Sequence, residues 1–206
     1  CCTCNMHQSW PKFVQNLFYA TPDRGVAALL YAPAEAELFV GDDTRLRVVE
    51  ETGYPFRETI VFTFHPDKQD RFTFHLRIPA WCTSPEIRIN GEVWNEAPGN
   101  GVSMINRTWQ EGDQVQLKLP MELKTSTWYQ FAQTVERGPL VYALKIDGER
   151  KPGFVSERFR EFTEVYPLDP WNYALVARDL EDLNQNVEVQ EKPWDGSYPW
   201  NLQTAP

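Results

Sequence analysis

Residues 72–78, Phe-Thr-Phe-His-Leu-Arg-Ile, alternate apolar and polar side chains without a break. Successive side chains of an extended strand point to opposite faces of a sheet, so this alternation predicts a strand with one apolar and one polar face. The stretch from Ile60 to His65 repeats the pattern, with Phe62 and Phe64 at apolar positions. Two such strands, close in sequence, indicate a β-sheet protein.

Shorter strands are predicted on both sides of this pair, at residues 26–31, 37–40, 46–49, 87–89, 102–105 and 115–119. The dipeptide Asn90-Gly91 follows the strand at 87–89 and is the strongest short signal for a hairpin turn. Short strands at regular spacing, separated by turn residues, are typical of antiparallel sandwiches. We therefore predict a mainly β protein built on an antiparallel, jelly-roll-like β-sandwich.

The segment before Gly25 has helical rather than strand spacing, with apolar residues at positions 13, 14, 17 and 18. Ser9 is the predicted N-cap of this helix, and the turn residues 21–25 are its predicted end. Beyond position 124 the strand pattern weakens, although a buried strand is predicted at 140–144. The predicted domains are residues 1–24, a single helix; residues 25–123, the first sandwich; and residues 124–206, a second, smaller β domain.

The composition restricts the possible partners. The chain of 206 residues has a formal net charge of -9 and shows no basic stripe, which argues against nucleic acid and anionic membrane surfaces. No apolar run approaches the roughly 20 residues of a membrane span. Eight tryptophans are many for this length, and exposed aromatic faces stack on sugar rings and other flat apolar surfaces.

Three of the four cysteines lie in the first four positions, as Cys1, Cys2 and Cys4, with His7 close behind. Thiolates and imidazoles are zinc ligands, but this spacing is not that of a zinc finger. From residue types alone, a metal or reactive-thiol site and ordinary cysteines stay equally open. Because no methionine precedes Cys1, we expect the chain to be part of a longer protein.

Other titratable residues are interpreted as surface groups. Glu50 and Glu51 end a predicted strand and are expected to be solvated there. His65 and His75 lie on the polar faces of the two alternating strands and are predicted to be surface histidines. The sequence contains no glycine-rich phosphate loop and no known hydrolase motif.

Several stretches, in order along the chain, resemble the β-L-arabinofuranosidase-like glycoside hydrolases, family 127 and its relatives. These stretches are Cys1–Gln8 with Trp10-Pro11-Lys12, Tyr31-Ala32-Pro33, Glu51–Phe56, Leu76–Cys82, Arg137–Tyr142 and Asp169–Leu175. Enzymes of this family place an (α/α) barrel before β-sandwich domains. The resemblance implies that residues 1–24 hold the last barrel helix and that sandwich domains follow it.

The resemblance also implies a reaction. In that family the first cysteine of the pair is a zinc-bound thiolate nucleophile for retaining hydrolysis, and the second is a zinc ligand. Cys1 would then be the nucleophile and, with Cys2, a zinc ligand, whereas Cys4 and His7 either line the sugar pocket or pack at the helix start. The acid/base and the other zinc ligands lie upstream in the family, so we expect this chain alone to be inactive. Zinc is expected in the intact enzyme, and a site with two of its four protein ligands is expected to hold zinc weakly or not at all.

The implied partner of the intact enzyme is an arabinofuranoside-containing plant glycan, and the implied source is a bacterium. Two alternatives come from other functional classes. In the first, the chain is a carbohydrate-binding sandwich with Trp81, Trp109 or Trp128 as a stacking platform; in the second, it is a purely structural accessory domain. Self-association is also expected, through the surface that would face the barrel.

Overall fold

The computed structural model describes residues 5–94, 101–155 and 161–191. The chain divides into two compact units, residues 1–122 with 138–140 and residues 123–137 with 141–206. The domain boundaries predicted at 24 and 123 stay predictions.

The described part of the first unit contains one helix that follows Gln8 and ten strands. They are α1 (Ser9–Gln15), β1 (Phe18–Ala20), β2 (Val26–Ala28), β3 (Ala34–Val40), β4 (Thr44–Thr52), β5 (Thr59–Pro66), β6 (Asp70–Ile78), β7 (Glu86–Ile89), β8 (Glu92–Trp94), β9 (Gly101–Trp109) and β10 (Asp113–Lys118). One sheet has the order β1-β2-β6-β9, and the other has the order β3-β4-β5-β10-β7-β8. Every pair of neighbours is antiparallel except β2 and β6, which are parallel.

The core of this unit lies between the two sheets. Phe62 and Phe64 of β5 meet Phe74 of β6, with ring centroids 5.1 and 4.9 Å apart. The apolar positions of both strands are fully or almost fully buried, as their alternation predicts. The predicted class, a mainly β antiparallel sandwich with one N-terminal helix, is confirmed, whereas the jelly-roll detail stays a prediction.

Trp109 occupies the centre of this core. It is 0% exposed, and its indole stacks on Phe64 at 4.4 Å and on Phe72 at 5.7 Å between ring centroids. Its Nε1–H donates a hydrogen bond of 3.0 Å to the carbonyl oxygen of Phe72 on β6. The last residue of β9 therefore packs against the facing sheet through Phe64 of β5, and its buried hydrogen bond joins β9 to β6 within its own sheet.

The predicted hairpin at Asn90-Gly91 is confirmed and joins β7 to β8. Both turn residues have positive φ, 50° and 86°, as the favoured two-residue hairpin turn requires. The Asn90 side chain donates to Asp113 Oδ1 at 2.7 Å and accepts from the backbone N–H of Gln114 at 2.8 Å. This asparagine thus serves the turn and also ties it to the neighbouring strand β10.

The N-terminal helix is present but shorter than predicted. Ser9 is its first residue and not its N-cap, a position that Gln8 occupies without a side-chain hydrogen bond. The prediction that the helix continues to residues 21–25 is wrong, because Phe18 already pairs with Ala28 at the start of β1. The N–H of Leu29 also donates to the carbonyl oxygen of Leu17 at 3.1 Å, so pairing with the sheet overrides the helical spacing.

Gly25 packs directly against the backbone of β6. A Cβ at this position would lie 2.2 Å from the carbonyl oxygen of Thr73 and 3.0 Å from Thr21 Oγ1. Neither the strand backbone nor the turn has room to withdraw, so Gly25→Ala is expected to lower the free energy of unfolding by roughly 1–3 kcal/mol. Urea unfolding measures this loss. In Gly148→Ala the new Cβ would mainly meet a methyl group of Val165, which is 61% exposed and has room to shift, so a loss as large as that of Gly25→Ala would contradict the argument.

The second unit carries short elements. They are β11 (Leu123–Thr127), a single 3₁₀ turn (Tyr129–Phe131), β12 (Gln133–Arg137), β13 (Leu140–Tyr142), β14 (Gly148–Pro152), β15 (Thr163–Pro167), α2 (Ala177–Leu180) and α3 (Leu183–Asn186). The sheets have the orders β11-β12-β13 and β14-β15. The predicted strand at 140–144 forms as β13, but its predicted burial is wrong, since Val141 is 66% exposed. An apolar run predicts a strand, whereas burial depends on what packs against it.

In the ranges that the structure describes, no helix combines the length and apolar character needed to cross a membrane.

Candidate functional site

The predicted site residues are only partly placed by the structure. Cys1, Cys2 and Cys4 lie outside the described residues, and His7 is exposed in the turn before α1. Within the described ranges, no group of three or more histidine, cysteine, aspartate or glutamate side chains is arranged to hold a metal ion. The roles of the cysteine pair therefore stay predictions.

The chain that follows this segment enters the sandwich at one end, where a cluster of polar and aromatic side chains is packed. We call it the entry cluster; its members are Tyr31, Glu50, Tyr54, Arg77 and Trp81. The rings of Tyr31 and Tyr54 meet edge to face at 5.8 Å between centroids. The Tyr31 hydroxyl donates to the carbonyl oxygen of Arg77, and the Arg77 Nε–H donates to that of Leu29, each at 2.5 Å.

Glu50 is the unusual member of the entry cluster. It lies on the inward face of β4 and is only 2% exposed. Its Oε1 accepts a hydrogen bond of 3.0 Å from the N–H of Ala32, whereas the buried Oε2 accepts none from the described part of the chain. Burial without a compensating cation raises the pKa of Glu50 to about 8, against the smaller opposing effect of the Ala32 N–H. At neutral pH this carboxyl is therefore mainly a neutral acid.

The prediction that Glu50 is solvated is wrong, whereas its neighbour Glu51 is exposed as predicted. The alternation in β4 contained the signal, since Leu46, Val48 and Glu50 all occupy the inward face. The polarity of Glu50 suggests the end of a strand, but β4 continues to Thr52 and Glu50 keeps the inward position. Its burial depends on the loop 29–33, which covers it.

The entry cluster has the character of a support rather than of an open catalytic site. Burial raises the pKa of Tyr31, with the Arg77 guanidinium opposing this shift, so the phenol stays protonated. The hydrogen bonds of Arg77 and Glu50 hold Leu29 and Ala32, and Leu29 in turn binds the backbone of Leu17. The cluster thus anchors the point at which the N-terminal segment joins the sandwich.

The two histidines do not form a common site, because β5 and β6 belong to different sheets. His65 Nδ1 lies 2.6 Å from Glu111 Oε1, and His75 Nε2 lies 3.1 Å from Asp23 Oδ2. The pKa of Asp23 is lowered to about 2, first by the Thr21 hydroxyl and also by His75. Each histidine therefore pairs with an acid near the surface of its own sheet.

The candidate stacking residues have three different environments. Trp109 is buried, and Trp81 is partly buried against the core. Trp128, by contrast, is 64% exposed in the second unit. Of these three alternatives, only Trp128 has the exposure that stacking requires.

A shallow cavity of about 390 Å³ lies at the β7–β8 hairpin and is lined by Ile89, Asn90, Glu92, Val93, Trp94 and Arg107. Arg107 lies over the Trp109 ring, 5.1 Å from its centroid, and 3.6 Å from Asp113 Oδ2. Both interactions tie the one basic group in this lining to the protein itself. The lining offers no arrangement of a nucleophile with a base.

The two facing sheets and the aromatic core define the first unit as an antiparallel β-sandwich domain. Residues 25–121, which form most of that sandwich, match the family model for the middle domain of the β-L-arabinofuranosidases of family GH127. The resemblance stated from the sequence is thereby confirmed. No curated protein matches the chain.

Three solved structures share the fold. A GH127 β-L-arabinofuranosidase from Geobacillus stearothermophilus T6 matches 81% of this chain at a TM-score of 0.63 and 22% identity, over 34% of its own length. A protein described as a glycoside hydrolase matches 85% at 0.61 and 24% identity, over 34% of its length. A GH127 β-arabinofuranosidase matches 71% at 0.53 and 22% identity, over 29% of its length. The chain thus spans about a third of the length of these structures.

Proposed function

We propose that this chain is the middle and following part of a retaining β-L-arabinofuranosidase that acts on plant glycans. The observation that carries the proposal is the match of residues 25–121 to the GH127 middle domain. The solved structures of the same fold that are described as arabinofuranosidases support it. In this proposal the sandwiches are accessory domains, and the reacting residues lie in the segment before α1.

Cys1 is the proposed nucleophile and Cys2 the proposed zinc ligand beside it. The chemistry of the donor set fits zinc, because thiolates are among its preferred ligands. The remaining zinc ligands and the acid/base are proposed to lie upstream of Cys1, as the resemblance to the family implies. Bound zinc would lower the pKa of the Cys1 thiol, so that Cys1 would be a thiolate at neutral pH.

The proposed reaction has two steps. The Cys1 thiolate attacks the anomeric carbon of the arabinofuranoside, and the leaving-group oxygen takes a proton from the acid/base. A water molecule, deprotonated by that same group, then displaces Cys1, so that two inversions give net retention. The acid/base of both steps is proposed to lie upstream of Cys1, and the isolated chain is accordingly proposed to be inactive.

The apolar surface of α1 belongs to the same proposal. Trp10 is 66% exposed and Val14 63%, on a helix with no buried residue. Large exposed apolar patches mark interaction surfaces. We propose that this surface meets the catalytic domain in the intact enzyme and self-associates when that domain is absent.

Hydrolysis of 4-nitrophenyl β-L-arabinofuranoside tests the proposed function. The chain alone is expected to give no turnover, and the product of the reading frame extended upstream of Cys1 is expected to be active. In that longer product, Cys1→Ser should lower kcat/KM by roughly a thousandfold or more, because a hydroxyl at this position is not ionised. Cys82→Ala is the matched control, since Cys82 is a buried thiol of the sandwich core and should leave kcat/KM within a few-fold.

Two results would contradict the proposal. One is turnover by the chain alone that disappears in Cys1→Ser. The other is an active longer product whose kcat/KM is the same in Cys1→Ser as in Cys82→Ala.

A further inference from the structure

The loop between β11 and β12 presents three large aromatic side chains to solvent. Trp128 is 64% exposed, Tyr129 84% and Phe131 89%. We call residues 128–131 the aromatic tip. Single exposed apolar residues are common, but three aromatic residues within four positions of one hairpin loop are the kind of patch that marks a binding surface.

Two hydrogen bonds close the base of the aromatic tip. The N–H of Trp128 donates to the carbonyl oxygen of Ala132 at 2.8 Å, and the Gln133 amide donates to Thr127 Oγ1 at 2.8 Å. Gln130 and Phe131 have φ values of 55° and 62°, in the left-handed region that residues other than glycine seldom adopt. Such strain is found at functional sites, and the Phe131 ring, which is 89% exposed, gains nothing from burial here.

A hydrogen-bond network fixes the edge of the Trp128 indole. Its Nε1–H donates to Ser126 Oγ at 2.8 Å, and the Ser126 hydroxyl donates to Glu136 Oε1 at 2.5 Å. The Thr134 hydroxyl also donates to Glu136, and Lys124 lies 3.4 Å from its other carboxylate oxygen. The indole is thus oriented from its polar edge while much of its surface stays exposed, which lowers the entropy lost when a ligand stacks on it.

The charges around the aromatic tip favour a neutral ligand. Glu136 is balanced by Lys124, and residues 128–131 themselves carry no charge. The whole chain has a formal charge of -9, which disfavours phosphate polymers and anionic lipid. Sugar rings present an apolar C–H face and hydroxyl groups at the rim, and the exposed Gln130 amide beside the aromatic rings can bond such hydroxyls.

We propose that the aromatic tip is a binding site for a neutral glycan, with a sugar ring stacked on Trp128 and flanked by Tyr129. The aromatic tip would hold a polysaccharide rather than cleave it. The proposal takes only its probe from the proposed function, namely soluble arabinan, a neutral polymer of arabinofuranose.

Affinity electrophoresis in native gels with and without soluble arabinan tests this proposal on the full chain. Arabinan is expected to retard the wild-type protein, and Trp128→Ala should weaken the apparent affinity roughly tenfold or more. Trp128→Phe keeps an aromatic face and should retain most of the retardation. Trp171→Ala is the matched control, because Trp171 is 69% exposed in the same unit but lies outside the aromatic tip.

The result that overturns the proposal is a wild-type protein that arabinan does not retard, or a retardation that Trp128→Ala leaves unchanged. Equal losses in Trp128→Ala and Trp171→Ala would also overturn it, since they would indicate general adhesion. A change of oligomeric state in Trp128→Ala without a change in retardation would assign the tip to self-association instead. Cys1→Ser is expected to leave the retardation by arabinan unchanged. Glycan binding by the aromatic tip can therefore fail or succeed independently of the proposed hydrolysis.

Discussion

Replacement of Glu50 by glutamine is expected to stabilise the protein strongly at pH 8 and only slightly at pH 5. Glutamine has the size and neutral charge of the protonated acid, and its oxygen can keep the hydrogen bond from Ala32. What it removes is a buried carboxyl that resists ionisation. The expected gain at pH 8 is several kcal/mol, which is large beside the roughly 5–15 kcal/mol of a typical domain.

The sign follows from the two states of the Glu50 carboxyl. Below its ordinary pKa of 4.5 the carboxyl is protonated in both the folded and the unfolded chain, so it has no effect on stability. Between 4.5 and about 8 the unfolded chain releases the proton while the folded chain retains it, and stability falls as the pH rises. Above about 8 the loss is complete and amounts to as much as roughly 5 kcal/mol.

Urea unfolding between pH 4.5 and 8.5 measures this effect. The wild-type free energy of unfolding should decline across the range relative to that of Glu50→Gln, and the two should approach each other at the acidic end. Glu51→Gln makes the same change of charge at an exposed neighbouring position and should follow the wild-type profile. Parallel profiles for wild type and Glu50→Gln would show that Glu50 is ionised in the folded state.

Trp109→Ala is expected to have the other large effect, a loss of about 3–5 kcal/mol in the free energy of unfolding. The substitution removes a fully buried indole, its stacking on Phe64 and Phe72, and the hydrogen bond to the Phe72 carbonyl. It also leaves that carbonyl oxygen without its indole donor. Trp109→Phe should lose less, since it retains most of the apolar volume.

Met104 supplies the control for Trp109, because it lies on the same strand, β9, and is 58% exposed. Met104→Ala should change the free energy of unfolding by only a few tenths of a kcal/mol, as surface substitutions usually do within about 0.5 kcal/mol. Urea unfolding of the three variants beside wild type is sufficient. Similar losses for Trp109→Ala and Met104→Ala would mean that β9 contributes little to the sandwich.

Local pattern was enough to predict most of the first unit. The alternation at 60–65 and 72–78 predicts β5 and β6 with their buried faces, and Asn90-Gly91 predicts the hairpin between β7 and β8. These predictions succeed because the side-chain period of a strand and the positive φ of a turn are properties of a few adjacent residues. The resemblance to GH127 enzymes, too, rests on stretches that can be read in order along the chain.

The sequence predicted less of the candidate site than of the fold. Cys1, Cys2 and Cys4 were proposed from their residue types and from the resemblance, and they lie outside the described residues. Glu50 was missed, because its burial depends on Tyr31 and Ala32, which lie 18 or more positions earlier in the chain. Of the aromatic tip, the sequence pointed only to Trp128 as a candidate for stacking. The exposure of Tyr129 and Phe131 depends on what packs around the loop, which local sequence does not determine.

The sequence by itself determined the strand class, the position of the main turn and the apolar faces that form the sandwich, because each depends on short-range periodicity. Tertiary structure alone decided that α1 ends at Gln15, that Val141 is exposed and that Glu50 is buried. The physical reason is the same in all three cases. Hydrogen bonding to β2, coverage of a strand face and desolvation of a carboxyl each depend on residues brought together from distant parts of the chain.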